Sequence, residues 1–323
     1  MPVSRRLIAV LACIPAMALH AQQQQVSRPV AGYVFDGAAL RPVAGVLGGA
    51  TLGDALGLGL PARAAEVSPQ LDSAIVTASD GSLHLFRLGG SGPAEVVWDG
   101  APRGTALVAY SPSGTAAAIY AAGRIRVVGG LPNAPVEAFA VAAGPVPVRT
   151  ESRMAGAVPQ AMAVSDDAAW LLVAGMGRVR LLGAAGSSAV LLEEARAVSF
   201  AFAPGGHAAA VLNGAGPWLD EYSDIAAAPA QRIPAPGLTE PAGLAYSADG
   251  KLVVAAAHGS QSVTIFDLAA GTGTALACDC APTGVARVGT WLRLTEAGAG
   301  PVWFVDTATN PARIAFVPAR ANP

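Results

Sequence analysis

The chain has 323 residues, a formal net charge of −2 and a single lysine, Lys251; a balance this close to neutral gives no basic field for a phosphate backbone and excludes nucleic acid as a partner. Hydrophobic residues make up 53% but aromatics only 6%, so the apolar mass is Ala, Val and Leu, while 38 Gly and 25 Pro supply the breakers of a turn-rich all-β chain. Past the N-terminus no apolar run of about 18 residues escapes charge or proline, so no membrane span is expected once a leader is removed.

The first residues read as a leader. Arg5 and Arg6 form a positive start, Leu7 to Leu19 an apolar run, and the small residues ending at Ala21 a cleavage site before Gln22–Gln25. The expected organisation is a signal peptide over 1–21 and one domain over 22–323, in the periplasm or outside the cell. Cleavage after Ala18 is a weaker alternative. Two others are a lipoprotein box at Val10-Leu11-Ala12-Cys13 and twin-arginine export through Ser4-Arg5-Arg6. The apolar run continues past Cys13, where a lipoprotein turns polar, so the ordinary exported signal is preferred.

From Arg28 to Pro61 the text is strand-like but irregular. Ala31 to Asp36 and Leu40 to Leu47 read as two strands joined at Gly37, followed by a Gly-rich stretch from Gly48 to Gly59. A repeat then begins. Its mark is Ser or Ala, often with Pro next, then a turn and a small apolar strand. The copies start at Ser68, Ser111, Ser165, Ala203 and Ser247, with an eroded copy at Gly289. Pro presets φ, Asp bonds its own backbone and Gly accepts positive φ, which is the physical reason for the mark.

Spacings between marks are 43, 54, 38, 44 and 42 residues, a mean of about 44, within the range of four-stranded propeller blades. The 302 residues after Ala21 divide by that period into about seven units. The expected fold is therefore an all-β propeller of four-stranded blades, seven in number, with six as the alternative. The segment Arg28–Pro61 is expected to pair with the C-terminal blade and close the ring, which removes free sheet edges. Third strands are read at Leu83–Leu88, Arg124–Val128, Arg178–Leu182, Trp218–Tyr222, Ser262–Leu268 and Val302–Thr307.

One unit is unusually clear. Ser247, Asp249-Gly250-Lys251, Val253–Ala257, Ser260-Gln261-Ser262-Val263, Ile265-Phe266-Asp267 and Gly271-Thr272 follow one another as turn, strand, loop, strand and turn. This unit resembles the repeat of the YVTN and lactonase-like family of bacterial β-propellers, in which Ser-Pro-Asp-Gly-Lys precedes a small apolar strand, an Asn/Ser loop, a Val-Ser-Val-Ile-Asp strand and Ala-Thr-Gly. The resemblance implies a propeller. It does not imply one activity, because related rings include lactonases, electron-transfer and quinoprotein relatives, and scaffolds. The Trp-Asp and Gly-His signatures of WD repeats are absent.

In such a blade, the linker into the first strand and the loop between the second and third strands share one face, around the channel mouth, where binding residues are expected. The linkers place Arg63, Arg103, Arg196 and Glu240 there. The loops add Asp80, Arg124, Asn213, His258, Gln261 and Glu296. Arginines converging on a channel would take a carboxylate, a phosphate or an acidic peptide; the competing reading makes them solvated loop charges. A lactonase-type divalent-metal site, the minority expectation, would draw on Asp80, Asn213, Glu240 and Glu296. His84, His207 and His258 stand in different units without ligand spacing, and no metal or other cofactor is expected.

No Gly-x-Ser-x-Gly elbow is present, and the serines read as turn serines. Cys278-Asp279-Cys280 reads first as a short disulfide or two packed thiols, second as a redox pair, third as a partial metal site. Trp98, Trp170, Trp218, Trp291 and Trp303 are expected in packing between blades, with Trp218, beside a Gly-rich loop, the one singled out for exposure. The favoured function is a monomeric binding or interaction module for a partner protein or small acidic ligand. The alternatives are a lactonase-like hydrolase and, third, a sensor or assembly factor of the cell envelope.

Overall fold

Ser73 to Ala78 and Ala116 to Ala121 are buried at every position, with no alternation. A strand reads that way only when both of its faces are covered. In the computed structural model these are second strands of radial blades, packed on both sides by neighbours. The structure describes residues 29–143 and 159–319, apart from Ser91, Glu194, Arg196, Ala197, Ala215, Pro217, 296–299 and Asn310. The leader reading, Arg196 and Glu296 lie outside the described residues.

Twenty-seven strands form seven antiparallel sheets. Blade 1 holds β1 (Val30–Phe35), β2 (Leu40–Ala44) and β3 (Thr51–Leu52). Blade 2 holds β4 (Ala62–Val67), β5 (Ser73–Ala78), β6 (Leu83–Arg87) and β7 (Ala94–Val96). Blade 3 is β8 (Thr105–Tyr110), β9 (Ala116–Ala121), β10 (Arg124–Gly129) and β11 (Val136–Ala142). Blade 4 is β12 (Ala161–Val164), β13 (Trp170–Gly175), β14 (Arg178–Gly183) and β15 (Ser188–Leu192). Blade 5 is β16 (Ser199–Phe202), β17 (Ala209–Leu212), β18 (Trp218–Tyr222) and β19 (Gln231–Pro234). Blade 6 is β20 (Pro241–Tyr246), β21 (Leu252–Ala257), β22 (Ser262–Asp267) and β23 (Thr272–Ala277). Blade 7 is β24 (Ala286–Val288), β25 (Trp291–Arg293), β26 (Val302–Asp306) and β27 (Arg313–Val317). Each blade is a simple meander, and the fold is a seven-bladed β-propeller.

The buried side chains fall into seven clusters, one at each interface between adjacent blades. The last joins blade 1 to blade 7 through Val34, Val43 and Ala50 against Val288, Val302, Phe304 and Val317. This corrects the expectation for the N-terminal strands. They do not pair with the C-terminal blade; β1, β2 and β3 pair among themselves, and the ring closes by side-chain packing. The six-blade alternative falls with it, because the irregular segment is a blade of its own.

The serine marks are structural. Ser165 Oγ accepts the Trp170 amide (2.9 Å) and donates to Asp167 (2.7 Å); Ser247 Oγ likewise accepts the Leu252 amide (3.0 Å) and donates to Asp249 (2.7 Å). Each serine thereby tethers the start of the next strand back to its own turn. Gly114 and Gly250 supply the left-handed residue of two such turns, with φ of 74° and 73°. Leu71 and Ala168 adopt the same sign of φ in their own turns, at a cost of roughly 1–2 kcal/mol each.

Candidate functional site: the central channel

The innermost strands of blades 2 to 7 surround a channel of about 370 Å³. Small residues make the room. Two positions before the turn mark stand Ala109, Ala163, Ala201 and Ala245, all lining the channel. At the same repeat position blade 2 carries Glu66 and blade 7 carries Arg287. Among the described residues these are the only charged groups on the lining.

Arg287 is half-buried, and its guanidinium crosses the turn-face end of the channel to donate to the Pro112 carbonyl in the β8–β9 turn of blade 3. Its Nε is buried with no hydrogen-bond partner among the described residues. Burial pulls its pKa below the ordinary arginine value, and the Asp166 charge opposes that pull. Asp166 is a floor post beneath it: its Oδ1 accepts the Ser113 amide and hydroxyl, both at 2.6 Å, and its Oδ2 accepts the Gly205 amide at 2.7 Å, joining blades 3, 4 and 5. These bonds tie blades 3, 4, 5 and 7 together at the turn face. Gln160, exposed at the start of blade 4, marks the open loop-face end.

Tyr110 and Tyr246 occupy the position before the turn serine in blades 3 and 6. The Tyr246 hydroxyl is buried without a hydrogen-bond partner among the described residues, and the Tyr110 hydroxyl is buried beside Ser73. Burial raises both phenol pKa values, so both stay protonated.

The residues expected at the mouth distribute by blade. Arg63 lies at the bulge in β4 and is exposed; its Nη2 donates to the Thr105 carbonyl of blade 3 (2.9 Å), at the channel rim. Asp80 and Arg103 face each other on the loop side of blade 2. The Asp80 carboxyl is held below the usual carboxylate range, first by the Ser82 hydroxyl and then by the Ser82 amide, with smaller help from Arg103 and His84. Glu240, His258 and Gln261 belong to one loop region of blade 6. The His258 amide donates to the Glu240 carbonyl (3.0 Å), His258 Nδ1 lies 3.3 Å from the Pro282 carbonyl, and the Gln261 carbonyl accepts the Cys278 amide (3.1 Å). Glu240 and Gln261 both have positive φ, 51° and 46°. Asn213 is half-buried at the end of β17, its carbonyl accepting the Gly216 amide (3.0 Å). Arg124 heads β10 and is exposed. Among the described residues no three of His, Cys, Asp and Glu come together as a metal-ligand group.

Cys278 and Cys280 are joined by a disulfide and buried in the core between blades 6 and 7. Trp170, Trp291 and Trp303 are half-buried and Trp218 is 43% exposed. His207 stands on the turn face. Its Nε2 meets Asp167 Oδ2 at 2.7 Å, and its ring packs edge-on to Trp170 at 6.3 Å.

No protein-family model matches the sequence, and no curated protein matches it. The chain is similar to a solved protein of unknown function. That neighbour is a functionally unknown protein from Desulfotomaculum acetoxidans DSM 771, with a TM-score of 0.56 and 15% identity over 90% of this chain and 99% of that one. At that identity the likeness concerns the fold alone.

Arg287 was not among the residues picked out from the sequence. It sits in the most eroded copy of the repeat, where the turn mark is weakest. The available signal was its register: a charge at a position that is alanine in four other blades.

Proposed function

We propose that the ring is a binding module whose channel takes a small carboxylate ligand on Arg287. The observation that carries this reading is Arg287 itself, a half-buried side chain on the wall of an open-ended channel and one of the two charged groups on its described lining. An anion that meets a half-buried guanidinium there gains a charge-assisted hydrogen bond, stronger than a neutral one. The four alanines set the ligand's width. Arg63, at the rim, draws the anion toward the mouth.

The same reading places the protein outside the cytoplasm as a monomer; its support is the leader pattern of residues 1–21 and the Cys278–Cys280 bond. A thermal-shift screen of mono- and dicarboxylates, hydroxy acids and amino acids tests the ligand class. Stabilisation by at least one carboxylate, lost when the carboxylate is amidated, supports the proposal. Uniform absence of a shift across the panel argues against it.

A further inference from the structure

Blade 2 carries a second arrangement, away from the channel. Ser82 immediately precedes β6 and His84 lies within it, so strand alternation turns both to the same side of the sheet. Glu95 lies on β7 opposite Phe86, diagonal to His84. The three side chains meet in line: Glu95 Oε1 is 2.5 Å from His84 Nδ1, and His84 Nε2 is 2.7 Å from Ser82 Oγ. The imidazole rests 6.4 Å, centroid to centroid, from the Phe86 ring. A groove of about 570 Å³ opens over this row, lined by Ser82, His84 and Glu95 with Val97, Trp98 and Arg103.

We infer that Ser82, His84 and Glu95 form an acyl-transfer site acting on esters of short carboxylic acids. A carboxylate on one imidazole nitrogen and a serine hydroxyl on the other is the arrangement that makes a weak nucleophile reactive. Ser82 Oγ bonds to the ester carbonyl carbon while its proton passes to His84 Nε2. The carbonyl π electrons move onto oxygen, and Arg103 supplies positive charge in the same groove for that oxyanion. The intermediate collapses, the C–O bond to the alcohol breaks, and His84 Nε2–H protonates the departing alkoxide. Water then attacks the acyl-Ser82 ester, giving its proton to His84. Collapse releases the carboxylic acid, and the proton returns from His84 to Ser82 Oγ. No redox partner is needed. Val97 and Trp98 offer an apolar bed for the alcohol portion, which favours aryl or alkyl esters.

Asp80 acts as a brake on this chemistry. In the resting arrangement the Ser82 hydroxyl donates to Asp80 Oδ1 at 2.6 Å, which leaves His84 Nε2 to face the oxygen rather than the proton. Glu95 is a positioning residue that acts through His84. The charged groups around the imidazole are Asp80, Glu95 and Arg103. This site is separate from the channel, and its test leaves the channel reading untouched.

The experiment is labelling of the full-length protein with an aryl fluorophosphonate, with the modified residue mapped by mass spectrometry, alongside p-nitrophenyl acetate hydrolysis. The expected result is phosphonylation of Ser82 and a loss of hydrolysis of about 100-fold in Ser82→Ala and His84→Gln. Ser188→Ala, on an exposed strand of blade 4, retains both properties. Asp80→Ala raises both rates several-fold because the Ser82 hydroxyl loses its competing acceptor and turns to the imidazole. Glu95→Gln lowers kcat with KM unchanged, because the imidazole loses the carboxylate that orients it, and Glu95→Asp restores part of the rate. Thermal melts of the variants establish that each remains folded. Absence of a label on Ser82, or equal hydrolysis by Ser82→Ala and the parent protein, overturns the inference.

Discussion

Arg287 on β24 of blade 7 donates a hydrogen bond to the carbonyl of Pro112 in blade 3, 175 residues earlier in the chain. The bond spans the turn end of the channel, and Asp166 beneath it ties blades 3, 4 and 5 through Ser113 and Gly205. Together these bonds cross-link four blades at the turn face. Removing Asp166 leaves the Ser113 and Gly205 amides without their charged acceptor. Asp166→Ala is expected to lower unfolding free energy by about 2–3 kcal/mol, read by urea denaturation. A change below about 0.5 kcal/mol would show that these bonds contribute nothing to the ring.

Ring closure by packing makes a separate prediction. Phe304 is fully buried between blades 7 and 1 and meets Trp291 edge-on at 5.8 Å. Among the described residues no strand of blade 1 pairs with blade 7 to compensate for its loss. Phe304→Ala is expected to cost about 3–5 kcal/mol, and Phe304→Leu less than half of that. Equal denaturation midpoints for Phe304→Ala and the parent would contradict closure through this cluster.

The Asp167–His207 contact between blades 4 and 5 gives acid sensitivity with a defined sign. Burial raises the Asp167 pKa, but hydrogen bonds from Ser165, His207 and the Ala169 amide outweigh it and hold the carboxyl at about 2, against an ordinary 3.8. A depressed carboxylate stabilises the fold fully above its unfolded pKa. That contribution is lost as pH falls from about 3.8 toward 2. Both partners are partly exposed, so screening limits it to about 1 kcal/mol. Denaturant titrations across that window should show Asp167→Asn losing stability less steeply than the parent; parallel curves would contradict the assignment.

The disulfide closes a loop of three residues, so its restriction of the unfolded chain is small, about 1–2 kcal/mol. Cys278 and Cys280 should react with a thiol reagent only after treatment with reductant under denaturing conditions. The double alanine variant should lose about that much stability. Reaction at Cys278 or Cys280 in the untreated, unfolded protein, located by mass spectrometry and so told apart from Cys13, would show free thiols there.

The ring was legible because its period is physical: each copy of the turn mark starts a strand that must be buried on both faces. Second and third strands fall within a residue or two of where the marks and apolar runs place them, as at β9, β13 and β22. The strand β3 was hidden, because two residues inside the Gly48–Gly59 stretch carry no pattern. Sites were far less legible. Ser82 and His84 could be seen as neighbours on a strand face, but Glu95 joins them only through the β6–β7 register, which the Gly-rich loop between those strands leaves open in the sequence. Arg287 reaches Pro112 through ring closure, which no local spacing encodes. Glu240, His258 and Gln261 do come together, because they flank one β-hairpin.

Binding of a small carboxylate to Arg287 in the channel is open to direct measurement. Isothermal titration calorimetry of the carboxylate that gives the largest thermal shift, on the parent protein and on Arg287→Met, tests it most directly. The expected result is one site per chain and a loss of affinity of at least tenfold in the variant, in keeping with removal of a charge-assisted bond worth about 1.5–3 kcal/mol. Unchanged affinity in a folded Arg287→Met protein would contradict it.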